Sequence, residues 1–291
     1  MAAAALNVLG SRAPVGLVGL GLIGGSIGLD LQALGVEVRA LVHRPATAAR
    51  ALERGLAQQV DTDPAVLEGC DLVVLALPLD RLLEPDPALL AALPSRAVVT
   101  DVGSVKGPVL ALWQGLVPRF VASHPMAGTA EAGVEAGVRG LFQGRPWVVT
   151  PGSGTDPTAL VVVRRLAEAL GARWLCCGAE AHDRAVALIS HLPVLVGAAL
   201  LDAANRGGVQ AGDAELVRAL ASSGFADTTR VGGGNPELGT LMARCNRAAL
   251  LEALSLYRGA LDDLEQQVRD GQWQGLAAAL AQGQALRPEF L

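Results

Sequence analysis

The chain has 291 residues, 51% of them hydrophobic and 3% aromatic, and a formal net charge of −5. That length implies about two domains, with cores built from Ala, Val and Leu. An acidic balance without a Lys/Arg block argues against nucleic acid or an anionic membrane as the main partner, and no uninterrupted apolar run approaches the ~18 residues that span a bilayer.

At the amino terminus, Met1–Leu6 lacks a basic region and an extended apolar stretch, so no signal peptide is expected. Val15–Val18 has the character of a buried parallel strand, and residues 23–34 that of a helix. Between them lies Gly19-Leu20-Gly21-Leu22-Ile23-Gly24, a GxGxxG run in strand–turn–helix context. In such a turn the first glycine permits a tight bend, the second admits a pyrophosphate, and the third lets helix pack on strand. The helix N-terminus adds partial positive charge where the phosphates sit. Gly19, Gly21, Leu22, Ile23 and Gly24 are therefore placed at a dinucleotide. The second strand, within residues 36–42, ends in His43 and Arg44, where an Asp or Glu would grip the ribose hydroxyls of NAD. With no carboxylate there, and a guanidinium suited to a phosphate, the expected cofactor is NADP. Thr47 either adds a hydroxyl to that phosphate or starts the next helix.

A strand over residues 71–76 ends at Pro78, which places Leu77 and Pro78 at the cofactor edge of the sheet. Further strands are expected at 97–100, 120–122, 147–150 and 173–177, with a helix over 156–171. Alternating strands and helices predict a mostly parallel, Rossmann-type α/β domain over residues 1–178, covered on both faces. Turns at the carboxyl ends of such strands carry function, and Ser104 and His124 fall just past two of them.

After Gly178 strands vanish. Residues 183–205 are apolar on nearly every face despite Pro193, which predicts a buried, kinked helix. Asn235 as N-cap and Pro236 at the first helical position start another helix. That helix carries Leu250, Leu254, Tyr257, Leu261, Leu264 and Val268 as a heptad seam. The expectation is an all-α dimerisation domain over residues 179–291 and a homodimer. Cys70, Cys176, Cys177 and Cys245 lack CxxC spacing and read as reduced thiols of a cytoplasmic protein; no metal-ligand motif is present, so no metal is expected.

Nicotinamide-dependent oxidation of an alcohol needs a group to take the hydroxyl proton, and histidine suits neutral pH. His43 belongs to the cofactor turn. His182, in a polar stretch, reads as a surface residue. His124 precedes the rigid loop Pro125-Met126-Ala127-Gly128-Thr129 and is the candidate base. His191 is either a core histidine or a substrate contact.

Several motifs occur in order: Asp101-Val102-Gly103-Ser104-Val105-Lys106, Ser123 to Thr129, Ser190-His191-Leu192-Pro193, and Gly224-Phe225-Ala226-Asp227-Thr228-Thr229-Arg230. With the glycine turn, from about Val15 to about Asp262, the chain resembles the prephenate/arogenate dehydrogenases of tyrosine biosynthesis. The resemblance implies that His124 accepts the proton of the ring 4-hydroxyl as C4 gives up hydride, and that Ser104 bonds the same hydroxyl. It implies that Arg230 holds the ring carboxylate and that CO2 leaves as the ring aromatises. Lys106 matches a family lysine, with an ion pair and a substrate contact both open. Many prephenate-using relatives have a second histidine where this chain has Val194, and often a basic residue where it has Ala226. Both departures suit L-arogenate, and the run from Val231 to Gly239 resembles NADP-dependent arogenate-using members. The alternatives are prephenate, oxidised to 4-hydroxyphenylpyruvate, both substrates, or a non-catalytic NADP-binding sensor.

Overall fold

Runs of Val, Leu and Ala must be buried on both faces, and strands achieve this side by side in the computed structural model, which describes residues 7–129 and 131–290. Met1–Leu6, read above for a signal peptide, lie outside the described residues. Strands β1 (Val15–Val18), β2 (Val38–Leu41), β3 (Gln59–Asp61), β4 (Leu72–Leu75), β5 (Val98–Asp101) and β6 (Phe120–Val121) form one sheet. All its pairings are parallel, in the order β3-β2-β1-β4-β5-β6. Polar β3 was not foreseen; it is an edge strand, where Gln59 and Asp61 remain exposed. Helices α1 (Leu22–Ala33), α2 (Pro45–Glu53), α3 (Leu79–Leu83), α4 (Pro87–Ala92), α5 (Gly107–Leu116) and α6 (Pro157–Ala169) accompany the strands. The strand order reverses between β1 and β4, which opens a crevice at their carboxyl ends.

The strands do not all join that sheet. β7 (Ser123–Pro125), β8 (Pro146–Val149) and β9 (Arg173–Cys176) form a second one, with β7 antiparallel to β8 and His124 opposite Val148. His124 is thus held in a strand rather than in the loop expected for it. A three-residue strand ending in proline, which cannot donate to a ladder, leaves no apolar period to read.

Beyond Cys176 the chain is helical. α7 (Ala179–Val186), a π-helical turn at Ala187–His191 and α8 (Leu192–Ala211) run on as one helix. Pro193 lacks the N–H that a regular helix needs four residues after Ile189, and the wide turn takes up the irregularity. This helix was expected to be buried, yet Leu188 and Ile189 are 44% and 56% exposed. Among the described residues it is the one helix long and apolar enough to cross a membrane. Its buried His182, Asp183 and His191 instead tie it to neighbouring elements. Then come α9 (Ala214–Leu220), α10 (Ser223–Thr229), α11 (Pro236–Cys245), α12 (Arg247–Arg269) and α13 (Trp273–Phe290). The single seam helix is broken at Asn246, so Asn235 and Pro236 start α11 while the heptad residues lie on α12. Leu250 packs with Ala187, Leu192 and Ala253, whereas Tyr257, Leu261 and Val268 stay exposed on this chain.

Candidate active site

The glycine turn divides its labour among three positions. Gly19 has φ +94°, where a side chain would be strained, and a Cβ there would strike the Ala76 carbonyl. A Cβ on Gly24 would run into the Gly19 carbonyl oxygen, so α1 can approach β1 only with glycine at this place. Gly21 instead faces open space, and as N-cap of α1 it supplies no side chain to the first amides. The N–H groups of Leu22, Ile23 and Gly24 are left for an anion, with no acidic residue in the first turn. That cradle fits a dinucleotide pyrophosphate. The Leu77 side chain lies against Gly19, and Pro78 is the N-cap of α3 beside it. At the end of β2, His43 and Arg44 are exposed, and Arg44 is the N-cap of α2. Thr47 is the third residue of that helix, so it does not cap it.

Next to this crevice, polar side chains of both sheets and of the helical region interlock. The Asp101 carboxylate at the end of β5 accepts bonds from the Gly103 and Ser123 amides, at 2.8 and 3.1 Å. The Lys106 ammonium, fully buried, pairs with Asp101 and donates to the Ser123 carbonyl at 2.7 Å. Burial lowers the proton affinity of Lys106, and the Asp101 charge opposes that shift. Of the two roles left open for Lys106, the ion pair is present, and two of its three donors join β5 to β7. That clamp fixes Ser104 and His124 relative to each other. The Ser104 hydroxyl is buried and has no partner among the described residues.

His182 is not a surface residue. It is 3% exposed, and its Nε2 lies 3.0 Å from Nδ1 of His124. Its own Nδ1 lies 2.8 Å from Oδ1 of Asp183. A carboxylate only accepts, so His182 carries its proton on Nδ1 and offers a bare Nε2. His124 must then donate from Nδ1, which leaves its Nε2 lone pair free. Burial pushes His124 well below the usual imidazole range, and the nearby Lys106 ammonium acts in the same direction. A neutral histidine with a fixed lone pair is the state a general base requires. Burial alone would raise the Asp183 carboxyl, but bonds from His182 and the Lys106 and Gly107 amides outweigh it and leave it lowered. Those amides, at 2.7 and 2.8 Å, belong to the start of α5, so an acid from α7 caps a helix of the first region.

His191 ends the π-turn, 2% exposed, with Nδ1 3.2 Å from Nδ2 of Asn246. Burial draws it down to about 4. Arg230 follows α10 and is exposed, and no bond around His124 reaches it. The backbones of Gly197 on α8 and Gly232 touch with no space for a Cβ on either, which seats that turn on α8.

A family model described as the nucleotide-binding domain of prephenate dehydrogenase matches residues 27–176, and one for its dimerization domain matches residues 178–282. The chain belongs to the prephenate dehydrogenase family. A cyclohexadienyl dehydrogenase of Zymomonas mobilis is 32% identical over 256 residues, 86% of each chain. The crystal structure of Synechocystis arogenate dehydrogenase is 40% identical, with TM-score 0.80, covering 96% of this chain and 100% of that one. A prephenate dehydrogenase from A. aeolicus, solved with hydroxyphenyl propionate and NAD+, is 27% identical with TM-score 0.85, covering 97% and 99%.

The sequence led to His182 being read as a surface residue and to no role for Asp101, Asp183 or Asn246. An available signal was the adjacent His182-Asp183 pair, an acid beside an imidazole just before an apolar helix.

Proposed function

We propose that the protein oxidatively decarboxylates L-arogenate to L-tyrosine with NADP, in the cytoplasm and as a homodimer. The 40% identity to an arogenate dehydrogenase along nearly the whole chain carries this reading. Val194 supports it: packed beside Gly239, it offers no donor to a pyruvyl group. For NADP the support is the exposed His43-Arg44 pair at the end of β2, with no acid in that turn. The match to a dimerization domain and the exposed apolar residues of α12 support the homodimer.

A nicotinamide cofactor held at the Gly19–Gly24 turn would supply the hydride acceptor for C4 of the substrate ring. His124 Nε2 takes the 4-hydroxyl proton, and Ser104 bonds the same oxygen. The charge that forms on His124 is shared through His182 with Asp183, as an acid orients a catalytic imidazole elsewhere. Arg230 receives the ring carboxylate until CO2 departs. The 32% identity to a cyclohexadienyl dehydrogenase favours a second reading, in which prephenate is also accepted. Initial rates with L-arogenate and prephenate, each with NADP and NAD, separate the two. Activity confined to arogenate with NADP is expected, comparable rates on prephenate establish the second reading, and inactivity on both rejects each.

A further inference from the structure

Asn246 sits at the break between α11 and α12, with φ −119° and ψ 36°, and is 6% exposed. From this break its side chain reaches to α7 and to the π-helical turn. Nδ2 lies 2.7 Å from the backbone oxygen of Asp183 and 3.2 Å from Nδ1 of His191. A carbonyl oxygen only accepts, so the amide NH2 must face it, which decides the orientation of the Asn246 side chain. The second hydrogen of that NH2 points to His191 Nδ1, which must therefore be unprotonated. A neutral imidazole then carries its single proton on Nε2. His191 is neutral near pH 7, because burial draws it down to about 4.

The result is a buried N–H whose nitrogen has no partner among the described residues. Buried polar groups in native proteins are rarely left so, and an orphan of this kind marks a place completed by a ligand or water. Asn246 bonds both His191 and the Asp183 backbone, and Asp183 holds His182 against His124, which ties the free donor to the chain of groups behind the base.

We propose that Asn246 is a positioning residue that locks His191 as its Nε2–H tautomer, so that His191 donates to a carboxylate or carbonyl oxygen of the substrate. The proposal rests on the reading of this site as one for an acidic cyclohexadienyl substrate. The donor serves an oxygen that arogenate and prephenate share, and it cannot receive the arogenate ammonium. Discrimination by that ammonium falls to another group.

Long-range proton–nitrogen NMR on protein labelled with 15N-histidine reads the tautomer directly, with His191 assigned by its loss in His191→Gln. An unprotonated Nδ1 and protonated Nε2 are expected in the unmodified protein, and the reverse overturns the proposal. In Asn246→Asp the new carboxylate accepts from Nδ1, and the pattern should invert. Substrate KM should rise about tenfold to a hundredfold in that variant, the cost of one hydrogen bond to a charged group, with the cofactor KM within twofold. His191→Gln can place an amide where Nε2 stood, His191→Asn only near Nδ1, so the Asn variant should lose substrate affinity more. Equal losses overturn the donor role. Because the NMR reading needs no turnover, an inactive protein with the expected tautomer would reject the proposed reaction while keeping the Asn246 lock.

Discussion

Asp183→Asn tests whether the His124–His182–Asp183 chain contributes to chemistry. The substitution keeps the shape and creates no cavity. It removes a negative charge whose two oxygens accept one imidazole N–H and two backbone amides. Near neutral pH that carboxyl is ionised, since its proton affinity is below the usual range. A hydrogen bond to a charged group is worth about 1.5–3 kcal/mol, and about 1.4 kcal/mol is a tenfold change in rate. If that bond strengthens as His124 takes up the proton, kcat should fall roughly 10- to 150-fold. The amide NH2 must also face one donor at the start of α5, so about 1 kcal/mol of capping is lost and Tm should drop by a few degrees. Steady-state kinetics with saturating cofactor, beside a thermal melt, distinguish the two effects. A lowered Tm with kcat within twofold of the parent would mean that Asp183 is only a cap, and the relay argument would be wrong.

His124→Asn should lower kcat by about 10²–10⁴-fold with cofactor Kd unchanged, as measured by steady-state rates and fluorescence titration; a change in cofactor affinity alone would remove it as the base. Lys106→Met leaves Asp101 charged and buried without its partner, so urea unfolding should show a loss of about 3–5 kcal/mol, and a loss under 1 kcal/mol contradicts the clamp. His191 titrates at about 4 when folded against 6.5 when unfolded, so at low pH the unfolded chain binds the extra proton. Stability from this group is full above about pH 6.5 and is lost as pH falls toward 4, about 2 kcal/mol of it between pH 7 and 5. Denaturation midpoints of the parent and His191→Asn at both pH values isolate that share, and an equal pH dependence in the two proteins would discount it. His43→Asp with Arg44→Ala should shift the NADP/NAD ratio of kcat/KM toward NAD by at least about tenfold, the scale of one lost phosphate contact with an added repulsion; an unchanged ratio puts the selector elsewhere.

The chain's own order determined the two-part architecture, the glycine turn and the helix starts at Asn235 and Asp156. Each depends on neighbours a few residues apart: a run of buried residues, a backbone that only glycine fits, an oxygen that caps the next amides. Motif order was enough to identify the family. Tertiary structure alone decided which polar groups meet. His124 and His182 are 58 residues apart and His191 and Asn246 are 55 apart, and nothing periodic in the sequence joins them. His182 looked like a surface residue because its neighbours are polar, yet packing of α7 on α5 buries it against His124. Lys106 looked equally ready for substrate, and only the approach of β7 to β5 shows that Asp101 and Ser123 take two of its three donors. Tautomers follow the same rule, for a proton's place on an imidazole is set by the partner opposite, and that partner is fixed only when the elements pack.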